Sequence, residues 1–135
     1  MHHPMIFVAT SSLLASFLVA CSAPGTAPKT VTVTQEDDNR SVKLQVGDIL
    51  EVTLDANPTT GYQWEVTQVD TSVLKETGEP VYATSEAGLG SGVKVTLRFE
   101  AAADGETTLN LAYHRPFETD TPPAKTFSLS VEVQR

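Results

Sequence analysis

Cysteine is nearly absent from this sequence: Cys21 is the only one among 135 residues. A lone cysteine cannot form an internal disulfide. Histidine is also scarce, and His114 is the only one beyond position 3. It follows a strand-like segment and precedes Arg115, where we expect a solvated side chain. A zinc site needs three or four ligands in register, and a hydrolytic triad needs a histidine beside its nucleophile. The sequence therefore argues against an enzyme and against a metal or other cofactor.

Basic residues are few: nine Lys and Arg accompany 17 Asp and Glu, for a formal net charge of −8. This balance argues against nucleic acid as a partner and against electrostatic binding to an anionic lipid surface. We interpret the acidic run at residues 36–38, EDD, as a solvated hairpin turn rather than as a weak calcium site. The glycine-rich segment 88–92 precedes a strand-like segment instead of a helix, so a phosphate-binding loop is excluded.

Charge is missing altogether from residues 5–20, MIFVATSSLLASFLVA. An uncharged run of this length, ending in small residues, is typical of a secretory signal peptide. Residues 18–21, LVAC, resemble the bacterial lipobox, in which the cysteine is lipidated and becomes the first mature residue. The start of the chain, MHHP, departs from that pattern because it has no Lys or Arg. We predict a lipoprotein signal peptide over 1–20 and a flexible tether over 21–29 with a lipidated Cys21. The mature protein would be extracytoplasmic and anchored to the cell membrane or outer membrane.

Long apolar runs are absent beyond residue 30, where apolar and polar residues alternate. Alternation indicates strands with one buried and one solvated face, because successive side chains of a strand point to opposite sides. The alternating segments are 31–33, 42–46, 50–54, 62–66, 93–99, 109–113 and 127–133. We predict an all-β domain over 30–135, an immunoglobulin-like β-sandwich of seven to eight antiparallel strands. A small closed barrel is the alternative.

Three segments between these strands fit neither a strand nor a minimal turn. They are residues 55–61, DANPTTG, residues 84–92, TSEAGLGSG, and residues 114–124, HRPFETDTPPA. In a sandwich, function usually lies on loops that a rigid scaffold positions. In the first loop, Pro58 fixes its own φ and Asn57 can hydrogen-bond to nearby backbone, so the turn is pre-organised. The hydroxyls of Thr59 and Thr60 are expected at its tip.

In this order, the three loops resemble those of the chagasin-type inhibitors of papain-like cysteine peptidases. The first family signature, Asn-Pro-Thr-Thr-Gly before an aromatic residue, corresponds to Asn57, Pro58, Thr59, Thr60, Gly61 and Tyr62. The second, Gly-x-Gly-Gly after leucine, corresponds to Leu89, Gly90, Ser91 and Gly92, with Val93 replacing the last glycine. The third, Arg-Pro-Trp, corresponds to Arg115, Pro116 and Phe117.

The resemblance implies a sandwich whose three loops form a wedge at one end, and a peptidase cleft that this wedge enters. The first loop would lie beside the catalytic cysteine and histidine, with the other two on either side. We expect a monomer whose partners are papain-like cysteine peptidases, and an exposed Phe117 as an interface anchor. The alternative function is a surface-anchored immunoglobulin-like binding or adhesion module without inhibitory activity, which the valine at position 93 supports.

Overall fold

The computed structural model describes residues 27–84 and 92–135. Within them the chain forms two sheets that pack on one hydrophobic core. The strands are β1 Thr30–Thr34, β2 Arg40–Gln45, β3 Ile49–Ala56, β4 Gln63–Gln68, β5 Leu74–Glu76, β6 Val81–Thr84, β7 Val93–Ala101, β8 Gly105–His114 and β9 Lys125–Gln134. One sheet has the order β1-β3-β7-β5, with β6 also paired to β7, and the other has the order β2-β9-β8-β4.

The core is built from alternate residues of the long strands. In β3, Leu50, Val52 and Leu54 are fully buried, whereas the residues between them are partly exposed. Phe99 of β7 and Phe127 of β9 are the largest fully buried side chains, and they come from opposite sheets. Burying an apolar side chain of this size stabilises the fold by about 1.5–3 kcal/mol, so the two inner faces hold the sheets together. The predicted all-β sandwich is confirmed.

Two details of the predicted sandwich need correction. The described residues contain nine strands rather than seven to eight, because β5 and β6 have only three and four residues. Neither shows alternation, and every residue of β6 is exposed. The pairing is also not entirely antiparallel: β1 runs parallel to β3, and β2 runs parallel to β9. β1 and β2 lie at the edges of different sheets.

The acidic segment after β1 is not the solvated hairpin turn that we predicted. Because β1 and β2 belong to different sheets, this segment carries the chain from one sheet to the other. The Asp37 carboxylate accepts a hydrogen bond from the Thr34 amide at 2.8 Å, which closes a 3₁₀ turn over Gln35–Asp37. The Asp38 carboxylate accepts one from the Ser128 amide at 2.8 Å. Asp37 therefore stabilises the turn, and Asp38 ties it to β9, beside which the chain continues as β2.

The roots of all three predicted loops lie at the same end of the sandwich. Ala56, at the end of β3, pairs with Val93, at the start of β7. Tyr113, near the end of β8, pairs with Lys125, at the start of β9. The first loop connects β3 in one sheet to β4 in the other, so it closes this end of the core.

The first loop is shorter than the predicted segment 55–61. Asp55 and Ala56 continue the ladder between β3 and β7. The Asp55 carboxylate forms an ion pair with the Lys94 ammonium group, and Ala56 is buried. The predicted loop began too early because Asp55 reads as a turn former when its cross-strand partner is unknown.

Glu76 in β5 provides a test of pH-dependent stability. Partial desolvation of the otherwise exposed Glu76 side chain raises the pKa of its carboxyl, and the charge of Glu79 raises it further. A carboxyl whose pKa is higher in the folded state favours the fold when protonated, and this stability is lost as the pH rises through the folded-state pKa. We expect Glu76→Gln to raise the Tm at pH 7 by at most about 3 °C. Near pH 3.5, where the wild-type carboxyl is protonated, the two proteins should melt together. An equal rise at both pH values in calorimetry would contradict this ionisation.

Candidate functional site

The first loop is a tight 3₁₀ turn over Pro58–Thr60. The Thr60 amide donates to the Asn57 carbonyl and the Gly61 amide donates to the Pro58 carbonyl, both at 3.2 Å. Proline suits the first position because its φ is fixed near −65° and it has no N–H to satisfy. Gly61 ends the turn in the left-handed region, at φ 82°, where a residue with a Cβ would be strained. The Asn-Pro-Thr-Thr-Gly motif therefore forms a defined turn that leads into β4.

The hydroxyl groups of Thr59 and Thr60 both donate to Asn57. Thr59 Oγ1 donates to the side-chain Oδ1 of Asn57, and Thr60 Oγ1 donates to its main-chain oxygen, each at 2.7 Å. Both threonines are exposed at the tip of the loop. Because a hydroxyl donates one hydrogen bond and can accept two, these oxygens keep their capacity to accept. Asn57 thus orients two acceptors toward the surface.

Buried aromatic residues fix the base of the first loop. The Tyr113 hydroxyl accepts a hydrogen bond from the Asn57 amide at 2.9 Å, and Trp64 Nε1 donates to the Asp55 carbonyl at 2.9 Å. The Tyr113 ring stacks on Tyr62 and also contacts Trp64, with 5.1 Å between centroids in both pairs. Buried tyrosine and tryptophan usually find a polar partner in this way. Sequence analysis placed Tyr113 in the core but missed the role of its hydroxyl.

Arg115 joins the third loop to the first. Its Nε donates to the Thr60 carbonyl at 3.0 Å, and its guanidinium carbon lies 4.5 Å from the centroid of the Tyr62 ring. Its Nη1 donates to Glu118 Oε1 at 3.0 Å. This hydrogen bond raises the pKa of the Arg115 guanidinium above its ordinary value, so the group stays charged. Sequence analysis missed Glu118. The three-residue spacing between Arg115 and Glu118 was the available indication that the two side chains could pair.

Phe117 is a large apolar residue that is 72% exposed. Its ring lies against the backbone of Gly61, because a Cβ added to that glycine would come within 3.2 Å of the ring edge. The prediction that Phe117 lies on the surface is confirmed. An exposed aromatic side chain beside an arginine is typical of a protein–protein contact. Pro116 is exposed as well, so the Arg-Pro-Phe segment covers the flank of the first loop.

The second loop is described only at its two ends. β6 ends at Thr84, and Gly92 precedes β7 with open space around it. Three residues predicted to bind a peptidase lie outside the described residues, namely Leu89, Gly90 and Ser91. The predicted lipidation site Cys21 also lies outside them. The ladder between Val93 and Ala56 brings the root of the second loop beside the first loop.

His114 is the last residue of β8 and is half-buried, not solvated as we predicted. Its Nε2 lies 2.6 Å from Oε2 of Glu65, a diagonal neighbour on β4 that the sequence does not reveal. In the part of the chain that the structure describes, no group of three or more His, Cys, Asp or Glu side chains could hold a metal ion. The described loops present hydrogen-bond acceptors and an exposed ring, which suit contact with another protein surface.

Comparison with known proteins identifies the family. The family described as chagasin family peptidase inhibitor I42 matches residues 43–131. Amoebiasin-1 of Entamoeba histolytica is 31% identical over 105 residues, covering 77% of this chain and 100% of that protein. The solution structure of amebosin is 33% identical with a TM-score of 0.60, covering 79% of this chain and 99% of that one. The cysteine protease inhibitor EhICP2 of Entamoeba histolytica has the same fold, with a TM-score of 0.70, 21% identity and coverage of 82% and 100%.

These matches confirm the resemblance expected from the loop sequences, and with it the prediction that the protein is not an enzyme. The matched residues include the first and third loops and every strand from β3 to β8. The chain belongs to the chagasin family of peptidase inhibitors, I42.

Proposed function

We propose that this protein is a reversible inhibitor of papain-like cysteine peptidases and that its three loops enter the active-site cleft as a wedge. The observation that carries this proposal is the exposed tip of the first loop, held rigid from both sides and flanked by the exposed Phe117. A loop that is already ordered loses little conformational entropy on binding. A complex of standard size would bury roughly 1,600 Å² in total.

The geometry of the first loop explains how it would block a cleft without being cut. Its two turn hydrogen bonds and the left-handed Gly61 hold Pro58–Thr60 in a 3₁₀ turn, away from the extended conformation of a strand. The threonine oxygens retain the capacity to accept hydrogen bonds, and a protonated histidine has only donors. Thr59 and Thr60 therefore suit contact with the imidazolium of a peptidase thiolate–imidazolium pair.

Removing both tip hydroxyls tests the central position of the first loop. Thr59→Ala combined with Thr60→Ala should raise the inhibition constant for papain by about tenfold, because two oriented acceptors are lost. The Tm should hardly change, since both residues are exposed. The double variant Thr53→Ala and Thr96→Ala is a matched control: it removes two hydroxyls that lie 3.0 Å apart between β3 and β7. Inhibition equal to that of the wild type would contradict the central-loop proposal.

A titration of papain with the domain from Ser22 onward tests the function itself. We expect a tight-binding curve and an inhibitor that remains intact on a gel afterwards. Without inhibition of papain or of a cathepsin L-type enzyme at micromolar protein, the wedge proposal would fail. Recovery of a partner other than a peptidase would then favour the binding or adhesion module.

We also propose that a lipid on Cys21 anchors this inhibitor to the cell membrane or outer membrane. The support is the uncharged segment 5–20 and the cysteine that follows it. No helix in the described stretches 27–84 and 92–135 is long and apolar enough to cross a membrane. Cys21→Ser should abolish incorporation of labelled palmitate and release the protein from the membrane fraction. Unchanged labelling would contradict lipidation at this residue.

The direction of β1 suits such an anchor. Thr30 pairs with Ile49 at the start of β3, whereas the first loop follows Ala56 at the end of β3. A strand rises about 3.4 Å per residue, so β3 separates the two by more than about 20 Å. A tether on β1 would therefore leave the sandwich at the end opposite to the wedge, and the wedge would face away from the membrane.

A further inference from the structure

We propose that Arg115 and Glu118 position the first loop for inhibition and do not serve mainly as charged contacts to the peptidase. This inference rests on the proposed function and gives these residues a role within it. Arg115 has three partners in its own chain: the Thr60 carbonyl, the Tyr62 ring and the Glu118 carboxylate. The side chains of Arg115 and Glu118 are both 33% exposed.

The contacts of Arg115 lie on both sides of Gly61. The Thr60 carbonyl belongs to the peptide bond that leads into Gly61, so the 3.0 Å bond from Nε fixes the plane of that peptide. Tyr62 follows Gly61, and its ring supports the guanidinium at 4.5 Å. Glycine has the freest backbone of all residues, so this is where the loop most needs an external support.

Glu118 orients the guanidinium. The Glu118 amide donates to the Arg115 carbonyl at 3.0 Å, so the third loop turns back and brings Oε1 within 3.0 Å of Nη1. The Nε and Nη1 donors are held in one rigid plane, and a carboxylate on Nη1 therefore sets the direction of Nε. Lysine has a single nitrogen on a flexible stem and cannot reproduce both contacts. An exposed ion pair adds little to global stability, so its expected effect is on loop geometry.

Kinetics of papain inhibition separate positioning from direct charge contact. Arg115→Lys keeps the charge but loses the planar fork, so it should raise the inhibition constant about tenfold, nearly as much as Arg115→Ala. Glu118→Ala should raise it by about threefold, and in the Arg115→Ala background it should add nothing, because the two residues act as one unit. Near-complete rescue by lysine would overturn the proposal. Additive effects of the two alanine substitutions would show that Glu118 contacts the peptidase directly, and would overturn it too.

Amide hydrogen exchange of the free protein tests the proposal without any peptidase. The Gly61 amide, which donates to Pro58, should exchange several-fold faster in Arg115→Lys and Glu118→Ala than in the wild type. Arg98→Lys is the matched control, because Arg98 pairs with Glu51 at 3.3 Å on the ladder between β3 and β7. Unchanged Gly61 exchange in both loop variants would overturn the positioning role. Faster Gly61 exchange in both variants, combined with a wild-type protein that does not inhibit papain, would refute the proposed function and leave the positioning role intact.

Discussion

Gly61→Ala is expected to weaken inhibition of papain by about 100-fold. Gly61 has a φ of 82°, a conformation that costs an alanine about 1–2 kcal/mol. The added Cβ would also come 3.2 Å from the Phe117 ring, so the ring or the turn must shift. One methyl group therefore disturbs the first and third loops together. The free loop would relieve this strain by leaving its turn conformation, and restoring the turn on binding would then cost about 2.7 kcal/mol. That cost corresponds to 100-fold in the inhibition constant, which a titration against papain would measure.

Gly78→Ala separates backbone strain from the clash with Phe117. Gly78 has a similar φ of 71°, and nothing lies within 4 Å of an added Cβ there. The Gly78→Ala substitution should lower the free energy of unfolding by about 1 kcal/mol and leave inhibition of papain unchanged. In a Phe117→Ala background, Gly61→Ala should have a smaller effect on inhibition than in the wild type, because the clash is gone. Equal effects in the two backgrounds would contradict the contact between these loops.

The strands that matter most for the core were predictable from sequence. The alternation in β3, β7, β8 and β9 can be recognised from neighbouring residues alone, because a strand with one buried face must place every second side chain inward. The sequence did not predict β5 and β6. In β5 Leu74 is buried, while Lys75 and Glu76 are exposed, so the local pattern is too short to read. β1 pairs in parallel with β3, and β2 with β9. These partners are distant in sequence, so the periodicity of β1 and β2 does not predict them.

The candidate site was predictable to a different degree in each loop. Pro58 and Gly61 have backbone preferences of their own, so the turn that they form could be inferred locally. The partners of Arg115 and of the Tyr113 hydroxyl come from other loops and strands, and only the fold brings them together. For the same reason, the sequence indicated that Arg115 contacts a peptidase but did not reveal its three partners within its own chain. Whether these loop residues bind a peptidase stays a prediction.

The end of the sandwich that carries the three loops is separate from the end where its edge strands are secured. The loops and their supports follow the end of β3. Just before β3, Asp48 is buried, with only 3% of its surface exposed. Its carboxylate accepts hydrogen bonds from the Lys29 amide at 3.1 Å and the Gln45 amide at 2.9 Å. Asp48 thus ties the entry to β1, the end of β2 and the start of β3 to one another.

Asp48→Ala is expected to lower the free energy of unfolding by about 3 kcal/mol. It leaves two backbone N–H groups without an acceptor, each costing about 1–3 kcal/mol when water does not replace it. In a domain of this size, the loss corresponds to a fall in Tm of about 15 °C, which calorimetry would detect. The inhibition constant measured well below the Tm should stay at the wild-type value, because Asp48 lies at the far end of β3 from the first loop.

Two further aspartate variants identify the cause of this loss. Asp48→Asn keeps the shape but retains only one acceptor oxygen, so its Tm should lie between those of the wild type and Asp48→Ala. Asp104→Asn is the exposed control: Asp104 pairs with Arg135 at 3.0 Å on the surface, and such pairs contribute about 0–1 kcal/mol. If Asp48→Asn melted with the wild type, both amides would have found other acceptors and the hydrogen-bond account would be wrong. If Asp48→Ala weakened inhibition as strongly as Gly61→Ala, strain would be passing along β3, and the two ends of the sandwich would not be independent.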